Sequence, residues 1–182
     1  HVVSEGKIGM VPEYVQRILD WEPPKTSKEL ASFLGFAGYY AHFIPEFTKL
    51  TCHLHPMKKQ VGNLCWTVEL LQDFEALKEA FTRAPTRVFP DYGPEAGPFI
   101  LTTDFSKRGV SGVLSQIQDG QERFIGVMGK SLNKHQMKYG SVKGEMWAVY
   151  LALQHFRHIL RFKKFILRTD SQAIALARGF KD

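Results

Sequence analysis

The sequence has 182 residues, enough for one domain or two small ones, and 44% hydrophobic with 23% charged content allows a core in a water-soluble chain. No apolar run approaches the roughly 18 residues of a membrane span, so no membrane partner is expected. The net charge of +6 and a pI near 9.3 lean toward a polyanionic partner.

Two cysteines, Cys52 and Cys65, do not make a disulfide framework. They fit a reducing compartment, and the expected location is intracellular, in the cytoplasm and/or nucleus. The group Cys52, His53, His55 and Cys65 matches no strong zinc spacing. The chain opens on His1 rather than Met, as a piece of a longer protein would.

In chain order, VPEYVQRILDW (11–21) places Val15, Ile18 and Leu19 at helical spacing, with Pro12 in the first turn. Pro23 and Pro24 stop it. TSKE (26–29) is a capping box in which Thr26 caps the backbone and Glu29 reaches back. It opens a helix rich in aromatics, FLGFAGYYAHF, whose spacing favours core packing over base stacking. Pro45 marks a break, and one short helix is expected over 46–58. Gly62-Asn63 is a turn, and Thr67 caps a helix through VELLQDFEALKEAFTRA.

APTRVFPDYGPEAGP (84–98) has four prolines and two glycines and reads as a linker. Beyond it come three strand candidates: FILTTD (99–104), VSGVLSQIQ (110–118) and RFIGVMGKS (123–131), with Asp119-Gly120 as a hairpin signal. A long helix fits 141–160, with Ser141 as its cap and WAVYLAL (147–153) inside it. FILRTD (165–170) is a fourth strand, and SQAIALARG (171–179) starts another helix. Three strands joined by tight turns are antiparallel, whereas a long helical crossover makes the fourth parallel to an earlier one.

FILRTD repeats FILTTD in five of six positions, and its natural neighbour is that strand. Side by side and parallel, the two would bring Asp104 and Asp170 out at the same sheet edge and on the same face. Carboxylates that close repel one another, and the crowding is relieved by a proton or a cation. Glu145 lies in the first turn of the long helix, on a row with Val142, Val149, Ala152 and Phe156 that would lie on the sheet. Three acids facing one point suit a hard divalent cation, Mg²⁺ or Mn²⁺. Taken singly, Asp170 could instead cap the next helix and Glu145 could complement a helix dipole. Basic residues cluster in HFRHILRFKKFILR (155–168), which contains no acid. Nucleic-acid contact there competes with a solvated helix end.

Longer motifs resemble one family. TTDFSKRGVSGVLSQ is similar to the TDAS-x-x-G-x-G-A-V-L-x-Q signature of RNase H domains in gypsy-type LTR retrotransposons. KYGSVKGEMWAVYLALQHFRHIL resembles that family's Y-S-x-x-E-x-E-x-x-A helix, and FILRTDSQAI its F-x-x-x-TDH-x-x-L segment. KTSKELASFLGFAGYYAHFIPEFTKL resembles P-K-T-x-x-E-L-R-S-F-L-G-L-x-x-Y-Y-R-R-F-I, and HVVSEGKIG is similar to the segment just past the polymerase palm.

The resemblance implies a fragment of a pol polyprotein with an α+β / α/β fold. Residues 1–92 would be a helical reverse-transcriptase thumb/connection region. Residues 93–182 would be an RNase H-like domain of three antiparallel strands, a helix, a parallel fourth strand and a helix, truncated before its last strand and helix. It implies Asp104, Glu145 and Asp170 as catalytic, metal-binding acids, with Mg²⁺ (or Mn²⁺) as cofactor. The reaction would be two-metal hydrolysis of the RNA strand of RNA–DNA hybrids. Ser106, Arg157, Arg161, Lys163, Lys164, Arg168 and Ser171 are the candidate nucleic-acid contacts. Expected partners are an RNA–DNA hybrid or other nucleic acid, and the remaining polymerase (fingers/palm) and integrase parts.

Some residues depart from the family pattern. The polymerase Tyr-x-Asp-Asp motif and the downstream fourth acid have no counterpart, Lys143 replaces an outer Glu, and Ala41 replaces an Arg. These departures leave a second reading, a domesticated module that keeps the fold as a non-catalytic scaffold binding nucleic acid or protein.

Overall fold

The computed structural model describes residues 2–4, 7–107, 109–133 and 135–170. The chain divides into two compact units, His1–Thr86 and Arg87–Asp182.

The first unit opens with two short strands that the sequence pattern does not reveal, β1 (Val2–Ser4) and β2 (Lys7–Gly9), paired antiparallel with Val3 opposite Ile8. Three residues each are too few for an alternation pattern to be legible. Helices follow: α1 (Pro12–Leu19), α2 (Ser27–Tyr39), α3 (Phe47–Thr51), α4 (Leu54–Met57) and α5 (Val68–Thr82). The 46–58 segment is thus two helices rather than one. Pro56 has no N–H to give the carbonyl of Cys52, and its ring crowds that carbonyl, so the chain breaks at Cys52–His53.

The capping box forms with a shift. Thr26 Oγ1 accepts from the Glu29 N–H at 3.2 Å, while the Glu29 carboxylate accepts from the Lys25 N–H at 2.8 Å, one residue ahead of the cap. That backbone donor holds the Glu29 carboxyl below its ordinary value. The aromatic helix packs inward: Leu30, Phe33, Leu34 and Ala37 join Ile18, Phe74, Leu77 and Phe81 in one core. Phe33 and Phe74 rings lie 4.7 Å apart, and Trp66 donates its indole N–H to the Pro24 carbonyl at 2.7 Å.

The second unit adds β3 (Arg87–Val88), β4 (Phe99–Ser106), β5 (Gly109–Gln118), β6 (Gln121–Ser131), α6 (Ser141–Leu160) and β7 (Phe165–Arg168). Four strands form a mixed sheet in the order β6-β5-β4-β7. β4, β5 and β6 are antiparallel, and the β5–β6 connection has φ 51° at Asp119 and 73° at Gly120, the left-handed pair that a tight hairpin requires. β7 runs parallel to β4 with Phe99 opposite Phe165, Ile100 opposite Ile166 and Leu101 opposite Leu167. The two echoing segments therefore pair letter against letter.

α6 covers one face, where Ala152, Phe156 and Leu160 pack with Phe99, Leu101 and Leu114. Its cap is the extended Gly140 with no side-chain bond, so Ser141 is the first helical residue and not the expected cap. Val142, expected on the sheet-facing row, is 51% exposed; Gly144 and Glu145 open the buried stripe instead. At the other end, Leu160–Lys163 close a turn through a Lys163 N–H to Leu160 carbonyl bond of 3.0 Å. Arg161 has φ −57°, ψ 124° and Phe162 φ 61°, the geometry of a type II turn.

The boundary between the two units falls inside the proline-rich stretch 84–98, and its part from Arg87 to Gly97 is fastened to the sheet of the second unit. Gln116 is fully buried, and its amide must be satisfied. It accepts from the Asp91 N–H at 2.9 Å and donates to the Asp91 and Gly97 carbonyls at 2.7 and 3.1 Å. Gln118 donates to the Phe89 carbonyl at 2.9 Å, and Arg87 Nε to the Ile125 carbonyl at 2.8 Å. The helix SQAIALARG expected over 171–179 lies outside the described residues. No helix among the described residues is long and apolar enough to cross a membrane.

Gln116→Leu strands three backbone groups at once and should lower stability by about 2–4 kcal/mol in urea unfolding. It should also speed proteolysis between residues 89 and 98. A second prediction concerns Glu122, whose carboxylate accepts from Ser115 Oγ at 2.6 Å and faces the Arg168 guanidinium at 3.3 Å. Those contacts, Ser115 first, hold its carboxyl below the ordinary 4.5. The stability difference between parent and Glu122→Gln should be full above that value and disappear as pH falls through the lowered one. Melting temperatures of both proteins from pH 7 to 3 would show it.

Candidate metal centre

Strand pairing fixes two of the three acids. β4 and β7 are in register up to Thr102 and Arg168, and Asp104 and Asp170 each come two residues later. Side chains at even spacing share a face, so the aspartates leave the sheet together, toward the carboxyl ends of the parallel pair. Helix packing fixes the third. Glu145, expected in the first turn of α6, is its fifth residue and so opens the second turn; it is only 4% exposed, with its Oε2 shut off from solvent.

One carboxylate oxygen from each of Asp104, Glu145 and Asp170 lies within 4.8 Å of the other two. Among the described residues this is the one cluster of three or more His, Cys, Asp or Glu side chains so disposed. Asp104 is half-buried and Asp170 exposed, so the group grades from the protein interior to open solvent.

Gly144 is what lets α6 come this close, and the motif pattern alone does not single it out. A Cβ built there would run into the Phe105 ring, at the end of β4. Gly112 does the same further along, where a Cβ would stand 2.8 Å from that of Ala152.

The donor set suits a hard divalent cation: three carboxylates, no sulfur and no imidazole. An ion with bonds of about 2.1 Å holds its ligand oxygens about 3–4 Å apart. With one oxygen from each within 4.8 Å of the others, Asp104, Glu145 and Asp170 could together hold such an ion. Such a cation relieves the repulsion that three neighbouring carboxylates otherwise impose.

The candidate nucleic-acid contacts fall into separate places. Ser106 Oγ donates to the Gly109 carbonyl at 3.2 Å, within the β4–β5 turn. Arg168 reaches Glu122 across the sheet through three contacts of 3.3 Å. Arg157, Arg161, Lys163 and Lys164 are exposed around the C-terminal end of α6. At a rise of about 1.5 Å per residue, that end lies about 24 Å along the helix from Glu145. Ser171 lies outside the described residues.

Residues 66–167 match the family model described as the RNase H-like domain found in reverse transcriptase. The whole chain is 31% identical to the retrovirus-related Pol polyprotein from transposon 297 of Drosophila melanogaster, spanning 17% of that protein. Over 92% of its length it is 31% identical to the transposon Tf2-3 polyprotein of Schizosaccharomyces pombe, spanning 13% of it. Foamy viral protease-reverse transcriptase in complex with dsDNA shares the fold over the full chain, at a TM-score of 0.73 and 18% identity, covering 39% of that structure. The same enzyme in complex with RNA/DNA hybrid aligns over 93% of the chain, at a TM-score of 0.71 and 18% identity, covering 23% of that structure. The mixed sheet with its parallel fourth strand is the architecture these matches share with the expectation from sequence, and the chain belongs to the RNase H-like domain family of reverse transcriptases.

Proposed function

We propose that this chain carries the acidic core of a ribonuclease H that cuts the RNA strand of RNA–DNA hybrids, within the pol polyprotein of a gypsy-type LTR retrotransposon. The observation that supports it most is the convergence of Asp104, Glu145 and Asp170 within 4.8 Å, in a chain of this family. The first unit then serves as the thumb/connection region, and the fingers, palm and integrase are the partners in the longer polyprotein.

Asp104, Glu145 and Asp170 would hold Mg²⁺ or Mn²⁺. When bound, these ions supply Lewis acidity to the attacking water and to the leaving 3′ oxygen. The chain's own residues divide the remaining work. Asp104 stands on a strand paired with β5 at Ser111 and with β7 as far as Thr102, which fixes the backbone that carries its carboxylate. Glu145, buried beside Gly144, keeps bulk water from the inner side. Exposed Asp170 faces the side from which a phosphodiester can approach. A hybrid is read through backbone shape and 2′-hydroxyls, consistent with an enzyme that cuts many sequences. The foamy viral relatives were captured with dsDNA and with RNA/DNA hybrid, which supports a nucleic-acid partner here.

Asp104→Asn removes one ligand and some of the local repulsion, so the fold should survive. Mn²⁺ should raise the melting temperature of the parent chain and not of the variant. In a pol polypeptide containing this segment, the same change should reduce cleavage of labelled RNA in a hybrid by roughly a hundredfold or more. Hybrid binding without metal-dependent cleavage by the parent polypeptide would overturn the enzymatic reading and leave a binding scaffold. Gly144→Ala tests the geometry separately. Its methyl displaces α6 from Phe105, and Mn²⁺ affinity by calorimetry should fall by roughly tenfold.

A further inference from the structure

The turn from α6 into β7 carries a feature that neither the fold nor the acid cluster uses. Phe162 is 91% exposed and stands at φ 61°, a left-handed backbone position that disfavours bulky side chains. It occupies the third position of a type II turn, where glycine would fit without strain. An aromatic ring is thus held in solvent at a conformational cost.

The neighbours of that ring are cationic. The Arg161 guanidinium lies over it, 4.9 Å from its centroid. Lys163 Nζ lies over a second half-exposed ring, Tyr92, at 5.2 Å. Tyr92 is anchored where it stands, because its hydroxyl donates to the Ile159 carbonyl at 3.3 Å. Lys164 and Arg157 are exposed nearby. Among the described residues, none of these four cations forms an ion pair with a carboxylate.

We propose that Phe162 and Tyr92, with Arg157, Arg161, Lys163 and Lys164, form a site for single-stranded nucleic acid, separate from the acid cluster. Charge complementarity selects a polyanion, and the exposed rings select one with unstacked bases. In a duplex the bases are stacked on each other, and their faces are closed to Phe162. Cations poised over aromatic faces suit the same ligand, since a base can slide between ring and guanidinium while the phosphates meet the lysines. The partner is therefore an unpaired strand, such as an overhang next to a hybrid. This rests on the nucleic-acid role proposed above but not on cleavage.

The test uses the 182-residue chain in EDTA, so that the metal site plays no part. Fluorescence anisotropy would compare a labelled single strand of about 12 nucleotides, within the site sizes of single-strand binders, with a blunt duplex of the same length. Phe162→Gly accepts the left-handed backbone, so its melting temperature should equal or exceed that of the parent. Its affinity for the single strand should fall about tenfold, with duplex affinity unchanged. Asp104→Asn should leave both affinities unaltered. Unchanged single-strand binding in Phe162→Gly, or an equal loss on duplex, would overturn the proposal. Equal Phe162-dependent binding to phosphatidylserine vesicles would also overturn it, assigning the patch to a lipid surface. Failure here leaves the acid-cluster reading standing, because that reading is tested with Mn²⁺ and with cleavage.

Discussion

Parallel pairing between FILTTD and FILRTD is the constraint on which the second unit depends. Identical apolar letters face each other across the two strands, and the terminal aspartates inherit their proximity from that register. The apolar start of β4 is buried, and this burial offsets the crowding of charge at the strand's end. Stability and chemistry are separated along a single strand: Phe99 and Leu101 pack under α6, and Asp104 emerges beyond them. The same division holds along α6, where Ala152 and Phe156 pack and Glu145 reaches past them.

A second constraint is the closeness of helix to strand. Gly144 against Phe105 and Gly112 against Ala152 are places where α6 meets the sheet without an intervening side chain. The helix is thereby set at a height that lets a short side chain reach the strand ends. The buried amide of Gln116 works at the opposite end, where it holds the segment leading into β4. Between them, both ends of the strand that bears Asp104 are restrained.

Much of this was legible in the sequence because the signals were local or repeated. The Asp119-Gly120 hairpin, the Thr26 and Thr67 caps and the 20-residue helix arise from neighbouring residues. The echo made a long-range pairing readable, since matched strands advertise a shared environment. Contacts between distant residues of unlike type left no such mark. Arg168 and Glu122 are 46 positions apart and meet only once the sheet is assembled. Gln116 and Asp91 are 25 apart, and nothing in a proline-rich stretch announces that a buried glutamine will claim its backbone. The break before Pro56 could have been read, because proline acts on the carbonyl four residues earlier. The acid cluster was legible from strand and helix periodicity, whereas the glycine that permits it needed the coordinates of Phe105.

The turn between α6 and β7 has a consequence for how such a chain can diverge. Side chains alternate along a strand, so adding or deleting one residue in 161–164 would slide FILRTD by a single step and turn Asp170 toward the other side. The fold itself does not dictate the residue at 162, where an exposed phenylalanine stands in a glycine-favouring position. For the strand pairing, residue type in that segment matters little and residue number matters a great deal, as a ruler may be repainted but not recut.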